Sequence, residues 1–151
     1  AVMAGLFWPL LGILAGAFVA TQAPINAELG RGLGLPVAAA AASFLSGAAI
    51  LVVVTAAVSQ FQGVSLNWRL PSPWLFIAGG ALGAAFVTSA ILLVPRLGAA
   101  ATMAFIVSGQ LMAGMLLDRI GYLGMAVREI TLGRVAGAAM LLAGALLIRY
   151  S

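Results

Sequence analysis

Five long apolar runs, each close to the length needed to cross the hydrocarbon core of a bilayer, leave this chain few ways to fold. They extend from about Gly5 to Ala23, Val37 to Ser59, Trp74 to Val94, Gly98 to Leu117, and Leu132 to Ile148. A crossing of about 30 Å takes about 20 helical residues, so the first four runs are ample and the fifth is near the lower limit. Lipid offers no partner to backbone N–H and C=O groups, so only helices and closed barrels are self-sufficient there. Barrel strands alternate apolar and polar residues. None of the five runs does, and the fold class is therefore all-α integral membrane, read as one five-helix domain over residues 1–151.

The segments between the runs carry ordinary punctuation. Pro24, Asn26, Glu28 and the glycines Gly30, Gly32 and Gly34 break the first run, and a polar connection from Gln60 to Ser72 follows the second. Ser72-Pro73 suits the N-cap and first turn of the third. Pro95-Arg96 makes a short link, and Asp118-Arg119 closes the fourth. The first run has no basic segment ahead of it and is read as a mature helix, not a leader. Trp8, Trp68 and Trp74 sit at run ends, where amphipathic rings favour the headgroup level.

Charge is scarce: 7% of residues are charged, against about 25% in soluble domains. All seven basic residues are Arg, spread singly between the runs, which is not the clustered footprint of a nucleic-acid binder. With five crossings, Arg69, Arg119, Arg128 and Arg134 fall on the side of the N-terminus, and Arg31, Arg96 and Arg149 fall on the other. Lys/Arg asymmetry orients membrane proteins, and four against three is almost none. The chain is therefore expected to insert both ways up and to assemble as an antiparallel homodimer, or as a heterodimer with an inverted paralogue. The absence of Cys and His excludes disulfides, cysteine metal sites and imidazole chemistry. No nucleophile is spaced with a base, and neither a metal-ligand cluster nor a phosphate loop is present, so no enzyme activity, cofactor or metal is expected.

Polar residues inside the runs are few: Thr21 and Gln22, Ser43, Ser46 and Thr55, Thr88 and Ser89, then Thr102, Ser108 and Gln110. Most lie in the half of the bilayer away from the N-terminus, with Gln110 nearer the middle, which suggests one lined cavity. Ser and Thr can satisfy themselves on their own helix carbonyls. The amides of Gln22 and Gln110 have more hydrogen-bonding groups than one helix can satisfy and must meet a partner, water or a solute. The pathway candidates are Gln22, Asn26, Ser43, Ser46, Ser89, Ser108 and Gln110. Glu28, with Arg31 three residues on, is either an interfacial ion pair or a coupling or gating charge at the cavity mouth. Asp118 and Glu129, each beside an Arg, read as loop charges. Small residues four apart, Gly133 and Gly137 among them, and Gly144 one heptad beyond Gly137, mark the last helix as a packing and dimer element.

Particular strings carry a family likeness. The stretch from Gln22 to Arg31 with its Asn26 and Gly30, Ser43 to Gly47, Gly109-Gln110 leading to Asp118 and Gly121, and Arg134 to Gly137 with Ala143-Gly144 resemble the YdcZ-type inner-membrane exporters of the drug/metabolite transporter superfamily. The last helix is also similar to the closing helix of small multidrug resistance proteins. The resemblance implies a five-helix half of a ten-helix fold in a bacterial inner membrane, completed by an inverted second half, with a small solute crossing by alternating access. Small multidrug resistance proteins carry a Glu in the middle of their first helix. Here Leu14 to Val19 is apolar, so an uncoupled facilitator fits at least as well as a proton-driven exporter. A small dual-topology channel and a non-transporting assembly subunit are the alternatives.

Overall fold

The structure, a computed structural model, describes residues 2–151, with side chains from Gly5 onward. Five helices long and apolar enough to cross a membrane dominate it: α1 Val2–Leu33, α2 Pro36–Gln62, α3 Leu75–Leu97, α4 Ala99–Ile120 and α5 Leu132–Tyr150. A 3-10 turn at Tyr122–Gly124 precedes α5, and no strand occurs among the described residues. The all-helical membrane fold expected from the sequence is what forms.

The ends follow local chemistry. Pro36 stands in the first turn of α2, where its missing N–H leaves no bond unmade. The helix closes on Gly63 at φ 63°, with the Gly63 amide on the Gln60 carbonyl and the Val64 amide on that of Ser59, the paired bonds of a Schellman cap. α4 ends on Gly121, also left-handed, and its last residue, Ile120, lies three residues beyond the Leu117 end read from the sequence. Thr131 caps α5 by accepting the Arg134 amide at 3.3 Å. The third helix begins at Leu75, with the Ser72 and Pro73 carbonyls accepting from Leu75 and Phe76 in a turn that leads into it.

The largest departure from the sequence reading is α1. Pro24 and the glycines after it were expected to end the helix near Ala23, yet it continues unbroken to Leu33. In water a proline and three glycines in this stretch would favour a break. In lipid, leaving the helix exposes backbone groups that nothing else can bond, whereas Pro24 forfeits only its own bond to the Ala20 carbonyl. At about 1.5 Å per residue α1 is about 48 Å long, more than the hydrocarbon core requires.

The chain divides into two compact units, one up to Leu92 and one from Leu93 to Ser151. In the first, α1 and α2 form a hairpin through Gly34, at φ 77°, and the extended Leu35. Gly30 makes the close approach possible: a Cβ there would stand 3.4 Å from Ile91 Cγ2 and from the Pro36 Cα. The packed centre of this unit is Ala39, Ala40, Val87 and Ile91, with Phe86 against it. Small residues dominate because helices in lipid associate through close backbone approach, not through removal of apolar surface from water. Large apolar side chains such as Leu45, Ile77 and Leu82 instead face outward, as a lipid-facing surface must.

In the second unit α4 packs along α5. The connection between them is held by the Arg128 amide, which donates to the Asp118 carbonyl at 2.8 Å.

Candidate functional site

The first unit carries an open cleft of about 840 Å³ between α1 and α2. Its α1 wall is a stripe of Phe18, Gln22, Ile25 and Leu29, flanked by Thr21 and Asn26. The spacing of the stripe, four, three and four residues, keeps those side chains on one helical face over about 16 Å of axis. The α2 wall is Ala42, Ser43 and Ser46. Four of the seven pathway residues expected from the sequence, Gln22, Asn26, Ser43 and Ser46, are thus brought to one surface.

Hydrogen bonding differs sharply among them. Thr21 Oγ1 donates to the Ala17 carbonyl at 2.8 Å, and Ser46 Oγ donates to the Ser43 carbonyl at 3.0 Å. Both hydroxyls spend their proton on the helix and offer only lone pairs to the cleft. Among the described residues, no hydrogen bond engages the Gln22 amide, the Ser43 hydroxyl or the Asn26 amide. Asn26 stands out because it is also buried, at 5% exposure. A primary amide taken from water without a partner costs on the order of 1–3 kcal/mol.

The reason Asn26 lacks a partner lies on its other side. There it faces the α3 residues Phe86, Val87, Ala90 and Ile91 across a narrow gap of about 10 Å³ that Gln22 also lines, room for about one water molecule. All four α3 residues are apolar and offer the amide no partner, which leaves it to the cleft, to Gln22 or to a water in the gap.

Glu28 and Arg31 lie outside the cleft lining, exposed near the end of α1 and ion-paired with each other. The pair expected from their spacing forms, and the mouth of the hairpin carries no net charge from them.

The second unit has a smaller cleft of about 370 Å³, lined by Gln110, Leu111, Gly114 and Met115 on α4, then Asp118, Arg134 and Gly137. Asp118 was read from the sequence as a loop charge. It instead occupies the last turn of α4 and accepts a bond from Arg134 of α5 at 3.2 Å, both side chains about a third exposed. The helix runs past the apparent boundary because Gly121 supplies its cap, and this carries the carboxylate to the facing start of α5. Gln110 therefore shares a surface with this ion pair. Gly137 and Gly144 line an apolar groove beside Ala104, with open space where a Cβ would stand at each, and Gly133 lies one turn earlier on α5. Ser89 and Ser108 line neither cleft, and their hydroxyls donate to the Ala85 and Ala104 carbonyls at 2.8 Å. No group of three or more His, Cys, Asp or Glu that could hold a metal occurs among the described residues.

Sequence reading missed the apolar half of the cleft, Phe18, Ile25 and Leu29. A signal existed in their register with Gln22, but an apolar side chain in a membrane helix reads the same whether it faces lipid or a solute.

Apolar helices that cross a membrane, with a hydrogen-bonding cleft let into them, define a polytopic membrane transport protein. A family model described as "Putative inner membrane exporter, YdcZ" matches residues 7–147, and the chain belongs to that family. It is a multi-pass inner-membrane protein of a transporter class, not an enzyme class. No curated protein and no solved structure matches it.

Proposed function

We propose that the protein is a carrier that moves a small solute by alternating access, working as an antiparallel pair of copies with the α1–α2 cleft as the solute-facing wall. The observation that carries this reading is the cleft itself. A chain that is 64% hydrophobic holds a recess of about 840 Å³ on which two amides and three hydroxyls converge. Membrane proteins keep polar groups at such depth where a solute or water passes.

The antiparallel pair rests on two features of the chain. An odd number of crossings puts the two ends on opposite faces, and the seven arginines divide almost evenly between those faces. Inverted repeats are a common route to alternating access, because rocking one half against the other exposes the same site to each side in turn. Two inverted copies supply that symmetry where a longer transporter carries it within one chain. The open groove along Gly137 and Gly144 suits close contact with a partner helix.

Reconstituted vesicles test the carrier reading. Uptake of a bound solute should saturate, and solute on the far side should accelerate it. Flux that rises linearly without limit would point to a channel, and a folded protein that moves nothing it binds would end the transport reading. The pairing has its own test in terminal tags labelled on intact cells: labelling from both faces is expected, whereas labelling from one face rules out the homodimer and leaves only an inverted paralogue.

A further inference from the structure

The α1–α2 cleft has a composition specific enough to select its ligand. We infer that it takes an uncharged solute that presents an adjacent N–H donor and C=O acceptor, as an amide, lactam or nucleobase edge does, on a flat apolar body. This rests on the carrier reading for its purpose, but not for its chemistry.

Charge is excluded first. No Asp, Glu, Lys or Arg lines the cleft. The nearest ionised side chains by sequence, Glu28 and Arg31, are committed to each other. The helix ends at the mouth also oppose: the C-terminus of α1 and the N-terminus of α2 lie side by side across the Gly34–Leu35 link, so their partial charges largely cancel. An ammonium or carboxylate seated against this wall would give up part of its hydration and meet no counter-charge in return.

The hydrogen-bonding pattern narrows the class further. Gln22 and Asn26 are one helical turn apart on α1, and each amide offers an acceptor oxygen and a donor NH2. Ser43 keeps its hydroxyl proton free, whereas Thr21 and Ser46 have given theirs to Ala17 and Ser43 and remain as acceptors. The wall therefore presents donors and acceptors interleaved. A ligand that only accepts leaves acceptors unmet, and one that only donates leaves the NH2 groups unmet. An amide-type edge pairs with a primary amide through two parallel bonds, one in each direction. Asn26 strengthens the requirement, because the α3 residues packed against it, Phe86, Val87, Ala90 and Ile91, are apolar and offer its amide no partner. Phe18, Ile25 and Leu29 add an apolar, partly aromatic surface beside the amides, suited to a flat body that shields the paired edge from water.

Benzamide, benzamidinium and benzoate test this directly, since they share size and shape and differ in charge and in the donor and acceptor pattern of one edge. With the full-length protein in detergent or vesicles, benzamide is expected to bind at least about tenfold more tightly than either ion. Asn26→Leu should weaken benzamide by about tenfold, and Asn26→Asp should shift the preference toward benzamidinium. An ion that binds as tightly as benzamide, or no binding of benzamide, overturns the inference. The isostere series needs no variant, so a misfolded Asn26→Leu would not shelter the idea. Benzamide that binds but is not exchanged across vesicles sinks the carrier reading and leaves this one standing. Saturable exchange of benzoate or benzamidinium in preference to benzamide does the reverse.

Discussion

In the unit up to Leu92, Asn26 is buried to 5% exposure and its amide goes unbonded, while in the unit from Leu93 Asp118 and Arg134 are about a third exposed and hold each other at 3.2 Å. Both sets of polar groups lie on clefts, and the difference is in how each is satisfied. Asp118 uses one carboxylate oxygen on Arg134, and its backbone carbonyl accepts from Arg128. The Arg134 amide in turn completes the Thr131 cap. Every one of these bonds joins α4, the connecting loop and α5. Asn26 joins nothing, and its amide, unlike the fully buried Thr102 hydroxyl of the second unit, which also lacks a partner, opens on a cleft. The Asp118–Arg134 region ties its own helices together, and the α1–α2 cleft keeps a polar group unengaged.

That contrast is exposed to experiment most severely at Asn26. Asn26→Leu should reduce solute flux by at least about tenfold, yet leave unfolding resistance unchanged or raised by up to about 1 kcal/mol, because an unsatisfied amide gives way to an apolar side chain of similar size. Flux in vesicles and urea or thermal unfolding in detergent read the two effects separately. A variant that loses flux only because it loses stability would erase the distinction between the units. In the second unit, the next largest effect is expected at Gly121. Its φ of 63° disfavours a side chain, and a Cβ would approach Val127 Cγ2 to 2.8 Å and the Met125 carbonyl to 3.1 Å. Gly121→Val should destabilise by about 2 kcal/mol, while any flux that remains keeps its affinity for the solute. The ion pair comes third. Asp118→Asn and Arg134→Gln should each cost no more than about 1 kcal/mol, discounted for exposure, with a coupling in the double variant of about half that. A coupling near zero would show that the backbone bond from Arg128 alone holds the turn.

How much of this was legible in the chain depended on what each residue is compared with. Gln22, Asn26, Ser43 and Ser46 declared themselves because a polar side chain contrasts with an apolar run, and the structure places them on one surface. Phe18, Ile25 and Leu29 had no such contrast. The continuation of α1 past Pro24 was hidden by rules of helix termination that assume water will take up a freed carbonyl. The Asp118–Arg134 bond was hidden differently, since Asp118 sits beside Arg119, a sequence neighbour of opposite sign that made it read as a loop charge. Partners sixteen residues apart become adjacent only once the helix is known to reach Ile120 and the loop to return. The second helix was readable as the apolar run from Val37 to Ser59, and the structure extends it to Pro36 at one end and to Gln62, capped by Gly63, at the other.

The smallest effect separates two serines that the sequence treats alike. Ser43 and Ser46 share a helical face, and both line the cleft. Ser46 gives its proton to the Ser43 carbonyl at 3.0 Å, so Ser46→Ala removes a local bond and one acceptor. Bonds of that kind inside a helix contribute little, since the carbonyl already receives its i+4 amide. Ser43 has no such commitment, and its hydroxyl is free to donate or accept. Ser43→Ala should therefore weaken benzamide by about threefold, the loss of part of one neutral hydrogen bond, whereas Ser46→Ala should change it by less than about twofold. Equal effects at the two positions would mean that the cleft reads only shape at α2. A larger effect at Ser46 would mean that its hydroxyl turns away from its own helix when the solute arrives, and the acceptor-only role assigned to it here would have to be given up.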